Sequence, residues 1–186
     1  HGQFNRIWVN YDKDKAKSGD ITYDGIPQNL VNAFVAIEDK RFMDHNGVDW
    51  KRTFAAFANM FLHFYSSNQG GSTITQQLVK NLTGDTSQRP SRKIREIMRA
   101  RYIENHYVKE TIIECYLNTI AMGHGTYGVE VAANYYFGKN VKDLTLTECA
   151  CLAAITKSPT YYAPDDHPEE NKKRRNTVLW EMYDQG

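Results

Sequence analysis

Residues 70–81 of this 186-residue chain read GGSTITQQLVKN. The two glycines break the preceding helical pattern, and Ser72 is expected to cap a helix that carries Ile74 and Leu78 on one side. A glycine turn that enters a helix leaves backbone N–H groups that attract anions, and Lys80, two turns later, adds a positive charge. The polar residues of the same helix suggest a groove for sugar hydroxyls. A capped, solvated surface helix would show the same pattern.

Helical patterns also occupy the chain before this stretch. From Pro27 to about Lys40, apolar residues recur at helical spacing, which predicts a first helix. A second helix is expected from Asp49 through Tyr65, but the apolar residues from Phe54 onward surround its axis instead of forming one stripe. Such a helix is either deeply buried or faces a membrane.

The chain after this stretch is helical in pattern as well. Ser91 is expected to cap a long helix whose apolar face consists of Ile94, Ile97 and Met98. A capping box at residues 145–148 predicts another helix, and a last amphipathic helix follows near the end of the sequence. No stretch predicts a sheet, so the fold class is mainly α.

Composition limits the function. Hydrophobic residues make up 41% of the chain, enough for a proper core, and the net charge of +1 gives no argument for a nucleic-acid partner. No run of residues is apolar enough to span a membrane, and the missing initiator Met suggests a fragment of a longer, membrane-anchored chain. We assign the polar residues 1–26 to an N-terminal arm and 27–186 to one domain. The three cysteines are interpreted as core residues.

Two charged clusters could carry chemistry. Glu38 and Asp39 lie where the first predicted helix gives way to a loop, a position suited to a general base. A solvated helix end would carry the same two carboxylates. Arg92, Lys93, Arg95 and Glu96 place one carboxylate within a turn of three cations, which is typical either of a solvated ion-pair face or of a phosphate clamp. In the second case the glutamate could hold a metal ion or orient the cations.

Two other sequence patterns do not indicate a functional site. The glycines of residues 123–128 match G-x-G-x-x-G, but a helix and not a strand is predicted before them, so we interpret them as a turn and reject a dinucleotide site. None of His45, His63 and His124 has a second ligand residue at the spacing of a metal site, which argues against a metal site built on histidine.

Taken in order, these segments resemble the motifs of the family 51 glycosyltransferases, the peptidoglycan transglycosylase domains of class A penicillin-binding proteins. The resemblance rests on five ordered motifs and covers about residues 26–186. The matching segments are Glu38-Asp39-Lys40-Arg41-Phe42 with His45 and Gly47, then GGSTITQQLVKN, Arg92-Lys93-Ile94-Arg95-Glu96, Lys109 to Asn118, and Ala150 to Pro159. It implies a lysozyme-like helical fold with two lobes around a cleft, the smaller lobe facing the membrane.

The resemblance also implies a reaction. The 4-hydroxyl of an acceptor sugar of lipid II would attack the anomeric carbon of a growing glycan held on undecaprenyl pyrophosphate, with inversion. Glu38 would be the general base, and Glu96 would organise the cations that hold the pyrophosphate. Both are expected to be catalytic. The expected substrate-binding residues are Asp39, Phe42, Ser72, Thr73, Gln77, Lys80, Asn81, Arg92 and Lys93.

The implied partners are lipid II, the nascent glycan chain, other cell-wall synthesis proteins and a membrane surface reached through Phe54 to Tyr65. No cofactor is obligatory, although a divalent cation, Mg²⁺ or Mn²⁺, could bind at Glu96. The expected location is the extracytoplasmic face of a bacterial plasma membrane, and inhibition by moenomycin is expected.

Two other functions fit parts of the pattern. A glycan hydrolase or lytic transglycosylase also uses carboxylates in a lysozyme-like cleft, but it does not need the cations at Lys80, Arg92 and Lys93. A non-catalytic helical module that binds DNA is a second alternative, with residues 72–82 imitating a recognition helix. The near-neutral charge and the absence of an aligned basic face disfavour it.

Overall fold

The computed structural model describes residues 20–55, 71–87 and 89–186. Those residues form a mainly helical fold, as predicted, and contain no β-strand beyond an isolated bridge between Ala121 and Tyr127. The helices are α1 Gln28–Glu38, α2 Ile74–Thr83, α3 Pro90–His106, α4 Lys109–Thr119, α5 Val129–Phe137, α6 Leu146–Ile155 and α7 Pro168–Asp184. Residues 50–55 are also helical.

Most of the predicted helix signals are confirmed, with shifts at two starts. The capping box of Thr145 and Glu148 begins α6, as expected. Helix α2 is capped by Thr73 and not by Ser72, because the Thr73 hydroxyl accepts the backbone N–H of Gln76 and the Gln76 side chain accepts the N–H of Thr73. Helix α3 starts at Pro90, one residue before the predicted cap, and no side chain caps it.

The prediction for the apolar face of α3 is wrong. Ile94 and Met98 are exposed, whereas Glu96, Ala100 and Ile103 form the buried side of the helix. The reason is that the helix is oriented with Glu96, which binds Arg92 and Lys93, toward the interior. Ile94 and Met98 therefore lie on the outer side of the helix. Hydrophobic spacing alone could not show that a charged residue would face inward.

Two groups of helices pack around one continuous hydrophobic core. Helix α1 packs with α6 and α7 in the first group, and α2 packs with α3 and α4 in the second. Phe34 of α1 and Tyr116 of α4 join the groups through an edge-to-face contact, with ring centroids 6.1 Å apart. The three cysteines are buried in this packing, as predicted.

The segment before α1 is fixed to the second group. The backbone of Ile21 exchanges two hydrogen bonds with the Asn118 side chain, and the backbone N–H of Tyr23 donates to Glu114. Ile26 is part of the core. Residues 1–19 of the predicted arm lie outside the described residues.

The predicted second helix is described only at its start. Asp49 caps it, since its carboxylate accepts the backbone N–H of Arg52 at 2.9 Å. Residues 56–65 of this prediction lie outside the described residues. Among the helices that are described, none combines the length and the apolar character that crossing a bilayer requires.

Candidate active site

A cleft of about 720 Å³ opens between the two groups of helices. Its walls combine one carboxylate at the end of α1, the polar face of α2, the buried carboxylate of α3, and cationic and hydroxyl groups from α7 and from the end of α6. The lining residues are Glu38, Gly71, Ser72, Gln76, Gln77, Lys80, Asn81, Glu96, Ile120, Ala121, Thr156, Lys157, Pro159 and Arg174. The structure thus brings together Glu38 and the 70–81 stretch, which the sequence analysis had identified separately.

Glu38, the last residue of α1, presents its carboxylate to this cleft. Its Oε2 accepts a hydrogen bond of 2.9 Å from the side-chain amide of Gln77, and its Oε1 accepts one of 2.8 Å from the Thr156 hydroxyl. Both donors are neutral, so the carboxylate is oriented without a direct ion pair. A carboxylate acceptor in a partly exposed position can take a proton from a bound hydroxyl group.

Gln77 is held in its turn by Tyr116. The Tyr116 hydroxyl donates to Oε1 of Gln77 at 3.1 Å, which leaves the amide nitrogen of Gln77 to donate to Glu38. Burial, and then the charges of Glu38 and Asp39, raise the pKa of Tyr116 well above its ordinary value. The tyrosine therefore stays a donor at any working pH, which fixes the direction of the whole chain of hydrogen bonds.

Asp39 lies behind the cleft and not on its wall. Its side chain is fully buried and accepts the backbone N–H of Ile74 at the start of α2. It also contacts Nε2 of His45 at 2.8 Å and Nη1 of Arg52 at 3.5 Å. Asp39 thus ties the end of α1 to the start of α2, which sets the distance between Glu38 and Gln77.

Two further residues that were expected to bind substrate are buried as well. Phe42 packs in the core with the Lys109 ammonium 4.4 Å from its ring centre. Thr73 caps α2 and donates its hydroxyl to the carbonyl of Gly47 at 2.7 Å. Asp39, Phe42 and Thr73 are thus buried and do not line the cleft, and their side chains support its wall.

The remaining predicted residues of α2 reach the cleft. Gln77, Lys80 and Asn81 all line it, and Lys80 and Asn81 are exposed. Among the described residues, no carboxylate forms an ion pair with Lys80. Its charge therefore faces the cleft.

The cation cluster forms around Glu96. Oε2 of Glu96 lies 2.5 Å from Nη1 of Arg92, and Oε1 lies 2.5 Å from Nζ of Lys93. Lys93 also donates to the Ser72 hydroxyl at 2.9 Å, so the cluster reaches the cleft through Ser72 and Glu96. Nε of Arg92 is buried with no hydrogen-bond partner. One carboxylate for two cations leaves net positive charge, which is the arrangement of an anion site and not of a neutralised surface pair.

The geometry does not fit a divalent cation at Glu96. Both of its oxygens already bind side-chain cations at 2.5 Å, and a metal ion would need to displace them. Among the described residues, ligand atoms of His124, Asp165 and Asp166 lie within 4.8 Å of one another. His124 has no possible metal ligand close to it in the sequence. Asp165 and Asp166 come from a loop about 40 residues further along the chain. Nε2 of His124 is already 3.1 Å from Asp165, which accounts for the cluster as a hydrogen-bonded contact at the surface.

Among the lining residues that were not expected in the site, three carry a charge or a hydroxyl group: Thr156, Lys157 and Arg174. Thr156 and Lys157 lie in the segment from Ala150 to Pro159 that resembles a family motif, which was the only signal for them. Arg174 is buried, and its burial lowers the pKa of the guanidinium, while the nearby Glu38 carboxylate opposes that effect. The arginine therefore places a poorly hydrated positive charge beside Glu38.

A comparison with known protein families agrees with this geometry. The family model described as Transglycosylase matches residues 5–183 of the chain. This chain belongs to the transglycosylase family. The match covers every described residue of the cleft, from Glu38 to Arg174.

Similar proteins carry penicillin-binding protein names. The chain is 45% identical over 166 residues to penicillin-binding protein 1F of Bacillus subtilis (strain 168), covering 89% of this chain and 23% of that protein. It is 45% identical over 168 residues to penicillin-binding protein 1A of Aquifex aeolicus (strain VF5), again covering 89% and 23%. It is 43% identical over 166 residues to penicillin-binding protein 1A of Escherichia coli (strain K12), covering 89% and 19%. The transglycosylase chain thus spans about a fifth to a quarter of the length of these relatives.

Proposed function

We propose that this chain is a peptidoglycan glycosyltransferase that polymerises lipid II into β-1,4-linked glycan strands. The observation that carries the proposal is the single cleft in which Glu38 faces Lys80 and the cation cluster around Glu96. Membership of the transglycosylase family supports the same reaction class.

In this reaction Glu38 acts on the acceptor. The acceptor's 4-hydroxyl oxygen attacks the anomeric carbon of the donor from the face opposite the leaving group, and its proton passes to the Glu38 carboxylate. Gln77 and Thr156 hold that carboxylate in one orientation, so no rotamer search is needed when the acceptor arrives. Glu38 is placed for this role because it is the carboxylate of the cleft that is not bound by a cation at hydrogen-bond distance.

The cations act on the leaving group. As the bond between the anomeric carbon and the pyrophosphate oxygen breaks, negative charge grows on the pyrophosphate. Lys80, Arg92 and Lys93 stabilise that charge, and Glu96 keeps Arg92 and Lys93 in position. A pyrophosphate needs cations more than a general acid, since it is already a stable anion.

The same cluster disfavours a glycan-cleaving enzyme. An inverting or retaining hydrolase needs a second carboxyl group that can donate a proton to the leaving oxygen. Both oxygens of Glu96 already contact Arg92 and Lys93 at 2.5 Å, so neither oxygen is placed to donate a proton to a leaving oxygen. We therefore assign it a positioning role.

The lipid-linked substrate sets the expected location. The enzyme works at the extracytoplasmic face of a bacterial plasma membrane, with the segment from Phe54 to Tyr65 against the lipid and other cell-wall synthesis proteins as partners. Phe54 is exposed and lies near Trp50, with ring centroids 6.2 Å apart and the rings tilted, which supports an aromatic membrane contact at the described start of this segment.

The test is polymerisation of fluorescent lipid II in detergent, with the products separated on a gel. The chain should form ladders of glycan strands, and Glu38→Gln should lose them while keeping its circular dichroism spectrum and its affinity for moenomycin. Arg92→Ala should lose both the ladders and most of the affinity for the pyrophosphate-linked donor. Full activity of Glu38→Gln would contradict the role of the base, and release of short sugars from finished peptidoglycan would favour a hydrolase.

A further inference from the structure

The turn of residues 121–128, which we call the rim turn, carries the G-x-G-x-x-G pattern that no nucleotide site explains. Its two ends meet where Ala121 and Tyr127 form the isolated antiparallel bridge, between two backbone hydrogen bonds of 2.9 Å. Residues opposed in this way have their side chains on the same face, with Cβ atoms about 5 Å apart. Because Ala121 lines the cleft, the Tyr127 side chain lies at the rim of the cleft.

The rim turn is held firmly against the wall of the cleft. The Tyr136 hydroxyl donates to the Met122 carbonyl at 2.7 Å, and burial raises the pKa of Tyr136 to about 12, so this donor persists at neutral pH. Gly123 has a φ of +83°, and a Cβ atom there would lie 3.0 Å from the carbonyl oxygen of Pro159, which lines the cleft. The Thr126 hydroxyl donates to the Gly123 carbonyl at 2.6 Å. The backbone of the turn is therefore fixed in place.

The side chain of Tyr127 is offered to solvent, since the residue is 63% exposed although its backbone is fixed. A tyrosine has only two rotatable side-chain bonds, so little entropy is lost when a ligand covers its ring. We propose that the Tyr127 ring stacks on a sugar ring of the glycan substrate and forms a binding subsite at the rim of the cleft. The C–H face of a pyranose ring matches the flat apolar face of the tyrosine, while the hydroxyls at its edge suit the polar side chains of the cleft, such as Gln77 and Asn81.

The charges around the rim turn favour a sugar over an anionic lipid surface. Nε2 of His124 lies 3.1 Å from Asp165 and 3.4 Å from Asp166, and these two acidic side chains are 42% and 60% exposed. Exposed carboxylates repel lipid phosphates, whereas they accept hydrogen bonds from sugar hydroxyls. A second exposed ring, that of Tyr135, stacks on His124 with ring centroids 5.3 Å apart. The surface next to Tyr127 thus combines aromatic rings with hydrogen-bond acceptors.

One short segment links the rim turn to Glu38, and this step rests on the proposed function. Thr156 donates to Glu38 at 2.8 Å, and Pro159, three residues later, lies against Gly123 of the turn. Glu38 and Tyr127 thus border the same wall of the cleft. A glycan of several sugars that reacts at Glu38 continues along this wall to Tyr127. The growing strand and the arriving lipid II both offer a pyranose ring for this contact, and Tyr127 binds it without taking part in bond making.

The kinetics of lipid II polymerisation in detergent test the subsite and identify which sugar it holds. Tyr127→Ala and Tyr127→Leu both remove the flat ring, and the leucine keeps an apolar side chain. If Tyr127 holds the growing strand, both variants should release it early, so the mean strand length on the gel should fall by about five- to tenfold while the initial rate at saturating lipid II changes little. If it holds the arriving lipid II, KM should rise by about five- to tenfold with little change in kcat.

Two further variants separate stacking from other effects. Tyr127→Phe keeps the ring and should restore most of the strand length and of the affinity for lipid II. The matched control is Tyr183→Ala, which removes an 80% exposed tyrosine at the end of α7, does not touch the lining of the cleft and should change neither quantity. Unchanged strand length and KM in Tyr127→Ala would overturn the proposal. So would equal losses in Tyr127→Phe and Tyr127→Ala, or full recovery in Tyr127→Leu, because the flat ring would then not be the group that matters.

A spectroscopic measurement tests sugar binding without the reaction. The full chain is labelled with 3-fluorotyrosine, and the fluorine signal of Tyr127 is identified by its absence from Tyr127→Phe. A soluble tetrasaccharide of alternating N-acetylglucosamine and N-acetylmuramic acid, at millimolar concentration, should shift this signal and leave the signal of Tyr183 unchanged. A Tyr127 signal that shifts with anionic vesicles and not with the tetrasaccharide, or that shifts with neither, would overturn the proposal.

The two proposals can fail separately. A shift of the Tyr127 signal with the tetrasaccharide, combined with no glycan ladder in detergent, would support the sugar subsite and contradict the proposed reaction. Ladders whose length and rate are the same in Tyr127→Ala would support the reaction and overturn the subsite.

Discussion

The hydroxyl group of Thr156 donates a hydrogen bond of 2.8 Å to Oε1 of Glu38, although the two residues are 118 positions apart in the sequence. Thr156 follows the last turn of α6 and Glu38 ends α1, and these two helices pack against each other. The contact ties the proposed base to the end of α6. It matters because Gln77, on the other group of helices, binds the second oxygen of the same carboxylate.

Removing the Thr156 hydroxyl should slow the reaction without preventing substrate binding. Thr156→Val keeps the shape of the side chain but leaves Glu38 with one donor fewer, so we expect kcat for lipid II polymerisation to fall by about tenfold with little change in KM. Thr156→Ser should restore most of the rate. The control is Thr177→Val, which removes a hydroxyl group that donates to a backbone carbonyl away from the cleft, and it should leave the rate unchanged. An equal loss in Thr156→Ser and Thr156→Val would contradict a role for the hydroxyl.

Chelation of divalent cations should not abolish polymerisation. The carboxylate of Glu96 is already bound by Arg92 and Lys93, so we expect these side chains, and not a metal ion, to supply the positive charge in the cleft. We expect initial rates in excess EDTA to stay within about threefold of those with Mg²⁺, which corresponds to a small change in transition-state stabilisation. Complete loss in EDTA with recovery on adding Mn²⁺ would show that a metal ion replaces one of the two side-chain cations.

Replacement of Asp39 should destabilise the domain and not only its activity. The buried carboxylate holds the backbone of Ile74 and contacts both His45 and Arg52, so Asp39→Asn leaves a cation facing a neutral amide in the interior. We expect a loss of about 3 kcal/mol in the free energy of unfolding, measured with denaturant. Asp143→Asn, at an exposed position, should cost almost nothing. A fully stable Asp39→Asn protein without activity would instead support direct contact with substrate.

Asp49 should make stability depend on pH in the acid range. Burial raises the pKa of Asp49, but hydrogen bonds from Arg41 and from the backbone N–H of Arg52 outweigh that effect, and the pKa of the folded state lies below its ordinary value. A lowered pKa means that the stabilisation is fully present above the unfolded pKa of about 4 and is lost as the pH falls through the lower folded value.

The variant Asp49→Asn measures this contribution. Because Arg41 stays about a third exposed, we expect a loss on the order of 1 kcal/mol at neutral pH. The difference from the wild type should shrink as the pH is lowered below about 4, where the wild-type carboxylate also becomes protonated. A difference that stays constant over this range would mean that the asparagine disturbs packing and not the charge pair.

The cysteines should resist alkylation while the protein is folded. Burial raises the pKa of Cys149 and of Cys151 to about 11, and Cys115 is buried as well. The reactive thiolate is therefore scarce at neutral pH. Reaction with a thiol reagent, followed by mass spectrometry, should modify the cysteines only after denaturant is added. Rapid modification of Cys149 or Cys151 in the native protein would show that the packing of α6 opens locally.

The sequence by itself determined the fold class, most of the helices and the principal charged groups of the site. Helical periodicity and capping residues depend on neighbours a few positions apart, so α1, α6 and α7 could be located from the residues alone. The ordered motifs identified Glu38, Lys80 and the cluster of Arg92, Lys93 and Glu96. The predictions that concern residues 1–19 and 56–70 stay predictions, because these residues lie outside the part of the chain that the structure describes.

Only the tertiary structure decided which of these residues face the cleft. Asp39 and Thr73 look like site residues in the sequence, but packing buries them as supports, while Thr156 and Arg174 enter the cleft from distant helices. The outward turn of Ile94 is of the same kind. In each case the outcome depends on contacts between residues far apart in the chain, where burying a charge with its partners outweighs the local hydrophobic pattern.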